Sequence, residues 1–191
     1  APGSRPCSAC SASRRCPAGL GDRPRAVFFP GSSIGNFDTD DAVRLMRDVG
    51  ELVGPGGHLL IGVDLKKDPG ILERAYNDAQ GVTAEFNLNI LAHINRQLAA
   101  DFDPGNFIHK AIYNAQQGRI EMHLECTREH CVHIHGNVYR FYPGETIHTE
   151  NSYKYSVAEF HELAAGAGFE PVRVWTDPAD LFSIHYLSAR V

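Results

Sequence analysis

"AVFFPGSSIGNF", residues 26–37, passes from an apolar run into a small polar loop. Ala26 to Phe29 form a short continuous apolar run without polar alternation, as a central strand of a parallel sheet does. The run breaks into Pro-Gly-Ser-Ser-Ile-Gly-Asn, after which Asp38 and Thr39 can cap a helix. That helix should reach about Val53, because Val43, Met46, Val49 and Leu52 recur at helical spacing and the glycines of "GPGG" (54–57) stop it. "HLLIGVDL" then supplies a second apolar strand, ending at Asp64. Strand, helix and strand with short connections make a βαβ unit and a parallel pair. Ligands in such sheets bind just past the carboxyl ends of the strands, so the small polar loop ending at Asn36 is a candidate site. An ordinary strand-to-helix turn would use the same glycine spacing.

Working outward, residues 70–100 carry helical periodicity with a break at Gly81, and "DFDPGNF" (101–107) is a loop. Lys110 to Tyr155 is strand-rich, with turns at "QQG" and "YPGE". There Ile120, Met122 and Leu124 alternate with Glu121, His123 and Glu125, the pattern of a half-buried antiparallel strand. Ser156 and Glu159 spell a capping box for a helix whose apolar face is Val157, Phe160, Ala164 and Ala167, ended by Gly168. "FEPVRVW" and "FSIHYLSARV" add two closing strands. The expected class is therefore α/β, a partial Rossmann-like sheet interrupted by an inserted α+β subdomain. The divisions fall at 26–69 and 156–191 for the sheet and 70–155 for the insertion. Residues 1–25, rich in Pro, Gly, Ser, Arg and Cys, show no periodicity and are expected to be an irregular, non-native leader.

Composition narrows the function classes. The 191 residues are 43% hydrophobic and 21% charged, with a net charge of -5. No basic stripe is available to meet phosphates, which argues against nucleic acid. No apolar run approaches the roughly 20 residues of a membrane span, nor is there a signal-peptide core, so the expected location is the cytoplasm. Five cysteines, three of them among the first sixteen residues, do not suit a secreted disulfide framework. Cys7, Cys10 and Cys16 would need a fourth, distant ligand to close a zinc site. Cys131, His133 and His135 would share one face of a strand, yet solvent-facing residues do the same, and no metal is expected. No P-loop, H-E-x-x-H or G-x-G-x-x-G run occurs. In "TENSYKY" (149–155), Glu150 and Ser152 would point the same way on a strand, where a carboxylate and a hydroxyl can grip an N–H-bearing ring. A solvated edge fits that spacing equally well.

"FFPGSSIGNF", "LLIGVDLKKD", "AYNDAQGVTAEFNLNIL", "IEMHL" and "TENSYKY", taken together and in this order, resemble the histidine-specific, S-adenosylmethionine-dependent methyltransferases of ergothioneine biosynthesis. The resemblance runs from about Val27 to Arg190. It implies a Rossmann-like methyltransferase domain with a substrate-binding insertion, S-adenosyl-L-methionine as cofactor, and N-α-trimethylation of L-histidine to hercynine. It also implies roles. Asn36 would hold the amino and carboxylate ends of the substrate and act as the catalytic orienting group. Tyr76 would bind the carboxylate, Glu150 and Ser152 the imidazole, while Met122 and Thr83 line the pocket. Gly31, Ser32 and Ser33 would lie against the cofactor, with the glycines letting ligands approach the backbone.

Chemistry agrees with such a site. Methyl transfer from a sulfonium is an in-line displacement, so catalysis is mostly positioning. The family's glycine-rich cofactor loop and ribose-binding acid belong to strands that would precede Ala26. The chain is therefore expected to be a C-terminal portion holding the substrate half of the site. Two other readings stand beside this one: a methyltransferase for another amino acid, such as an indole substrate, and a non-catalytic amino-acid-binding fragment.

Overall fold

Strands β1 (Ala26–Phe29) and β2 (His58–Asp64) pair in parallel through α1 (Thr39–Val53) in the computed structural model, which describes residues 24–190. The cysteines at 7, 10 and 16 and most of the proposed leader lie outside the described residues. After β2 come α2 (Pro69–Tyr76) and α3 (Val82–Leu98), separated at Gly81 as the sequence indicated. Gly81 sits at φ +74°, a left-handed geometry that costs glycine nothing. Then follow β3 (Phe107–Asn114), β4 (Arg119–Cys126), β5 (His130–Ile134), β6 (Asn137–Phe141) and β7 (Thr146–Tyr153). The chain closes with α4 (Val157–Gly166), β8 (Phe169–Thr176) and β9 (Phe182–Ala189).

These strands form three sheets. One has the order β1-β2-β9-β8, with β9 antiparallel to both neighbours; the second is β3-β4-β7; the third is the β5-β6 hairpin. The first sheet thus draws on both ends of the described chain, and the second on the stretch between. Helices α1 and α4 cover one face of the first sheet. Ala42, Met46 and Val53 from α1 and Phe160, Leu163 and Ala164 from α4 meet Leu59, Ile61, Val63 and Leu187 in one core. The α4 capping box is present, with both Ser156 and Glu159 bonds made.

Two expectations are corrected. The run Ala26–Phe29 is not central among the described residues: β1 pairs only with β2, and Phe28 is 68% exposed. A continuous apolar run cannot by itself distinguish a central strand from an edge whose outer face is open. The expected face of α1 is the one used at Met46, with Val43 and Val49 packed against the core, but its last member is not: Leu52 is 41% exposed and Val53 is buried in its place. The open face of the sheet carries Phe28, Leu60 and Tyr186 in one cross-strand row. No helix among the described residues is long and apolar enough to cross a membrane.

The core of the first sheet holds a polar array on β9. His185 on β9 is fully buried, its Nε2 2.8 Å from Ser183 Oγ and its Nδ1 3.1 Å from His161 Nε2. Burial, then the neighbouring His161, pushes the His185 pKa down from 6.5 to about 4. The neutral ring is therefore the folded form, and the unfolded chain binds the extra proton. Stability should fall as pH drops from 6.5 towards 4, by about 3 kcal/mol in all. Urea unfolding across that window should show this slope in the wild type and a flatter one in His185→Gln.

Candidate functional site

Three segments converge beyond the end of β2: the 3-10 turn Ser33–Asn36, the last residue of α2 and strand β7. The turn lies directly on β7. A Cβ at Gly35 would stand 2.6 Å from the Tyr153 carbonyl oxygen and 3.6 Å from Ser152 Oγ, so only glycine fits there. The expectation for the glycines is thereby corrected in part. Gly35 admits the backbone of β7 rather than a ligand. Gly31, at φ +69° with open space where a Cβ would be, is the position that leaves the loop accessible. Ser33 is exposed, whereas Ser32 Oγ accepts the Asp64 backbone N–H at 2.8 Å and ties the loop to the end of β2.

Asn36, at the end of the turn, stands beside Glu150, close enough for its side chain to favour the charged carboxylate. With His148, Thr149 and Asn151 they line an open cleft of about 250 Å³. Burial raises the Glu150 pKa above the ordinary carboxylate range, opposed by the Lys154 charge and the Asn36 bond. Two residues on, Ser152 is 4% exposed and its Oγ lies 2.8 Å from Tyr76 Oη. Lys154 Nζ donates to both, at 2.8 and 2.9 Å, and reaches Asp64 Oδ2 at 2.9 Å. Glu150 and Ser152 stand opposite Met122 and Ile120 on β4, so both project from one face of the sheet. The result is a half-buried acceptor beside a hydroxyl pair backed by a buried cation.

A family model described as a histidine-specific, SAM-dependent methyltransferase matches residues 10–189. The chain belongs to this family. It is 41% identical over 162 residues to the histidine N-alpha-methyltransferase of Mycolicibacterium smegmatis, covering 84% of this chain and 50% of that protein. The histidine N-alpha-methyltransferase of Mycobacterium tuberculosis is 40% identical with the same coverages. An L-tryptophan methyltransferase of Psilocybe serbica is 30% identical over 161 residues, 82% of this chain and 44% of that protein. The chain spans about half the length of the histidine methyltransferases it matches.

The residues that the family resemblance singled out fall into groups. Asn36 and Glu150 meet at the cleft, and Tyr76 and Ser152 meet each other. The resemblance assigned the last two to opposite ends of a substrate, yet their hydroxyls are in direct contact. Met122 is buried with Leu72, Ala111 and Ile120, and Tyr76 packs against that cluster. Thr83 is not among the cleft's lining residues. Its backbone N–H bonds Asp78, just ahead of α3, at 2.8 Å, and the interactions of Thr83 together with the Val82 N–H hold the Asp78 pKa down at about 2. Lys154 and Asp64 were missed. The signal was available: Glu150, Ser152 and Lys154 alternate along "TENSYKY", and a face carrying two site residues carries the third.

Other reactive patterns are accounted for differently. Residues 31–35 also spell G-x-S-x-G, but Ser33 has no histidine partner among the described residues, which a nucleophile elbow requires. His133 and Cys131 do lie on β5, but His135 is in the following turn at φ +50°, and His133 is tied to Asp101 at 2.8 Å. Glu121, His123 and His148 come within 4.8 Å of one another. Arg119 already holds Glu121 at 2.7 Å, and the His123 ring stacks on His148 with centroids 4.6 Å apart, so this is an ion-pair and stacking network.

Gly35→Ala tests the packing of the turn. The added methyl must push the turn off β7, at a cost of about 1–3 kcal/mol, as overpacking does. Thermal unfolding should register the loss, and amide spectra should show Asn36 displaced from Glu150.

Proposed function

We propose that this chain carries the substrate-binding residues of an S-adenosyl-L-methionine-dependent L-histidine N-α-methyltransferase, which converts L-histidine to hercynine in three transfers. The observation that carries this reading is the pairing of Glu150 with the Ser152–Tyr76 hydroxyls along one face of β7. A neutral imidazole offers one N–H and one bare ring nitrogen, and so matches an acceptor set beside a donor. Indole offers only the N–H.

In this reading Asn36 orients the α-amine. An amide N–H turned to the neighbouring Glu150 would leave the amide oxygen to accept from the amine. An α-amino group of pKa about 8 must lose a proton before it can act as a nucleophile. Asn36 is exposed, so water reaches that position and can carry the proton away. The open turn at Gly31 and the exposed Ser33, past the end of β1, fit one side of a cofactor, while Ser32 braces the loop from behind. S-adenosyl-L-methionine, when bound, supplies the methyl sulfonium. Each of the first two additions would leave a protonated amine at this position, whose proton must pass to water before Asn36 can present the nitrogen again.

Calorimetry and mass spectrometry test this reading together. L-Histidine should bind, and Glu150→Leu should weaken it by roughly 1–3 kcal/mol by leaving the ring N–H without an acceptor. Binding should also weaken on acidification earlier than an ordinary carboxylate would dictate, because the raised Glu150 pKa means the acceptor is lost at higher pH. Glu150→Gln should remove that component. Methylated histidine in the presence of S-adenosyl-L-methionine would show turnover by the chain; binding without product would show a substrate half alone. Failure to bind histidine, with tryptophan bound regardless of Glu150, would sink the reading in favour of an indole substrate.

A further inference from the structure

We propose that Lys154 is the positioning residue of this site. Its ammonium fixes the direction of the Tyr76 and Ser152 hydroxyls, so that the pair presents a hydrogen-bond donor and selects a ligand atom that accepts. The inference rests on the histidine reading only for the identity of the ligand.

Donor counting carries the argument. An ammonium has three N–H donors and no acceptor. Lys154 uses all three, on Asp64 Oδ2 at 2.9 Å, Tyr76 Oη at 2.9 Å and Ser152 Oγ at 2.8 Å. Complete satisfaction is what lets its side chain sit 1% exposed. Each hydroxyl oxygen therefore accepts from the lysine. The 2.8 Å bond between the hydroxyls consumes one of their two hydrogens, whichever residue donates it. One O–H is left over. It cannot turn back to the ammonium, which has no lone pair, so it is available to a ligand. A bare imidazole nitrogen or a carboxylate oxygen satisfies it. An imidazolium or indole N–H placed there would face a hydrogen, with a buried cation behind it. With Glu150 taking the ring N–H, the site recognises the neutral ring of histidine.

The position of the ammonium is itself fixed. Asp64 closes β2, its Oδ1 held by Lys67 at 2.5 Å and its backbone N–H by Ser32 Oγ at 2.8 Å. The ammonium also lies 4.8 Å from the centroid of the Tyr76 ring, so the tyrosine is oriented through its face as well as its hydroxyl. Removing the lysine does not strand Asp64, because Lys67 remains. Replacing a buried ion by an apolar group of similar shape is often neutral for stability. Lys154→Met should therefore fold while losing the fixed hydroxyl direction.

The test uses two readouts on the chain as it stands. In protein labelled with 15N-lysine, one ammonium resonance should be protected from exchange, with cross-relaxation to the Tyr76 ring, and Lys154→Met should abolish it and shift the ring signals. Histidine affinity by calorimetry should fall by about tenfold or more in Lys154→Met, with the melting temperature little changed. The proposal is overturned if no protected ammonium is seen, if the Tyr76 signals ignore the substitution, or if both proteins bind histidine equally. Should the wild type not bind histidine at all, the histidine reading falls, and the resonance experiment alone decides the role of Lys154. If Lys154→Met does not fold, Tyr76→Phe replaces it: faster exchange of the ammonium supports the proposal and unchanged protection overturns it.

Discussion

The seam between the first two sheets is the constraint on which the site depends. Where β2 ends, the Tyr155 N–H donates to the Asp64 carbonyl and the Lys66 N–H to the Tyr155 carbonyl, while Leu65 and Tyr155 form a parallel bridge. On the same level Gly35 accepts the Tyr153 backbone with no room for a side chain. The end of β2, the loop after β1 and the end of β7 are thus joined main chain to main chain. Side chains could slide or change rotamer under load; backbone ladders and a glycine contact cannot without breaking hydrogen bonds. The residues gathered at the candidate site lie within a few positions of this seam: Asn36 one position after Gly35, Ser152 and Lys154 on either side of Tyr153, Asp64 beside Leu65.

Charge is arranged along the seam in opposing poles. Lys154 is buried and cationic, satisfied by one carboxylate and two hydroxyls. Glu150, four residues earlier and on β7, is half-buried, and its pKa is raised by burial in spite of that cation and the Asn36 amide. Water would level such a difference, and desolvation preserves it. The polarity runs along one face, from the Glu150 carboxylate to the hydroxyl pair backed by Lys154.

Much of the fold was legible because its segments are locally consistent. The β1–α1–β2 unit, the break at Gly81, the capping box at Ser156 and the final strand pair all follow from period and punctuation. Glu150 and Ser152 were legible as a pair because strand alternation puts them on one side. The burial of Lys154 was not. A lysine amid polar and aromatic residues looks solvated, and its satisfaction depends on Tyr76, 78 positions earlier, and on Asp64 beyond that. Nothing local announces such partners. The apolar run of β1 did not itself give its place at the edge of the described sheet, since such a run states that a strand is buried somewhere but not on how many sides.

The register of β7 completes the argument. Ile147 belongs to the apolar cluster with Leu124, while Glu150, three positions later, stands opposite Met122 on the same face. Strict alternation would send residues three apart to opposite faces. The ladder resolves this with a bulge: His148 pairs with His123 and Glu150 with Met122, leaving Thr149 as the extra residue. The carbonyl of Met122 is satisfied by the Thr149 hydroxyl at 3.0 Å. One inserted residue therefore lets the first half of β7 anchor in the core while the second half keeps Glu150, Ser152 and Lys154 pointing to the site. It also swings His148 onto the other face, against His123, at the rim of the cleft. The chemistry of the site is in this sense a consequence of register, and a slip of one position would exchange the core residue for the carboxylate.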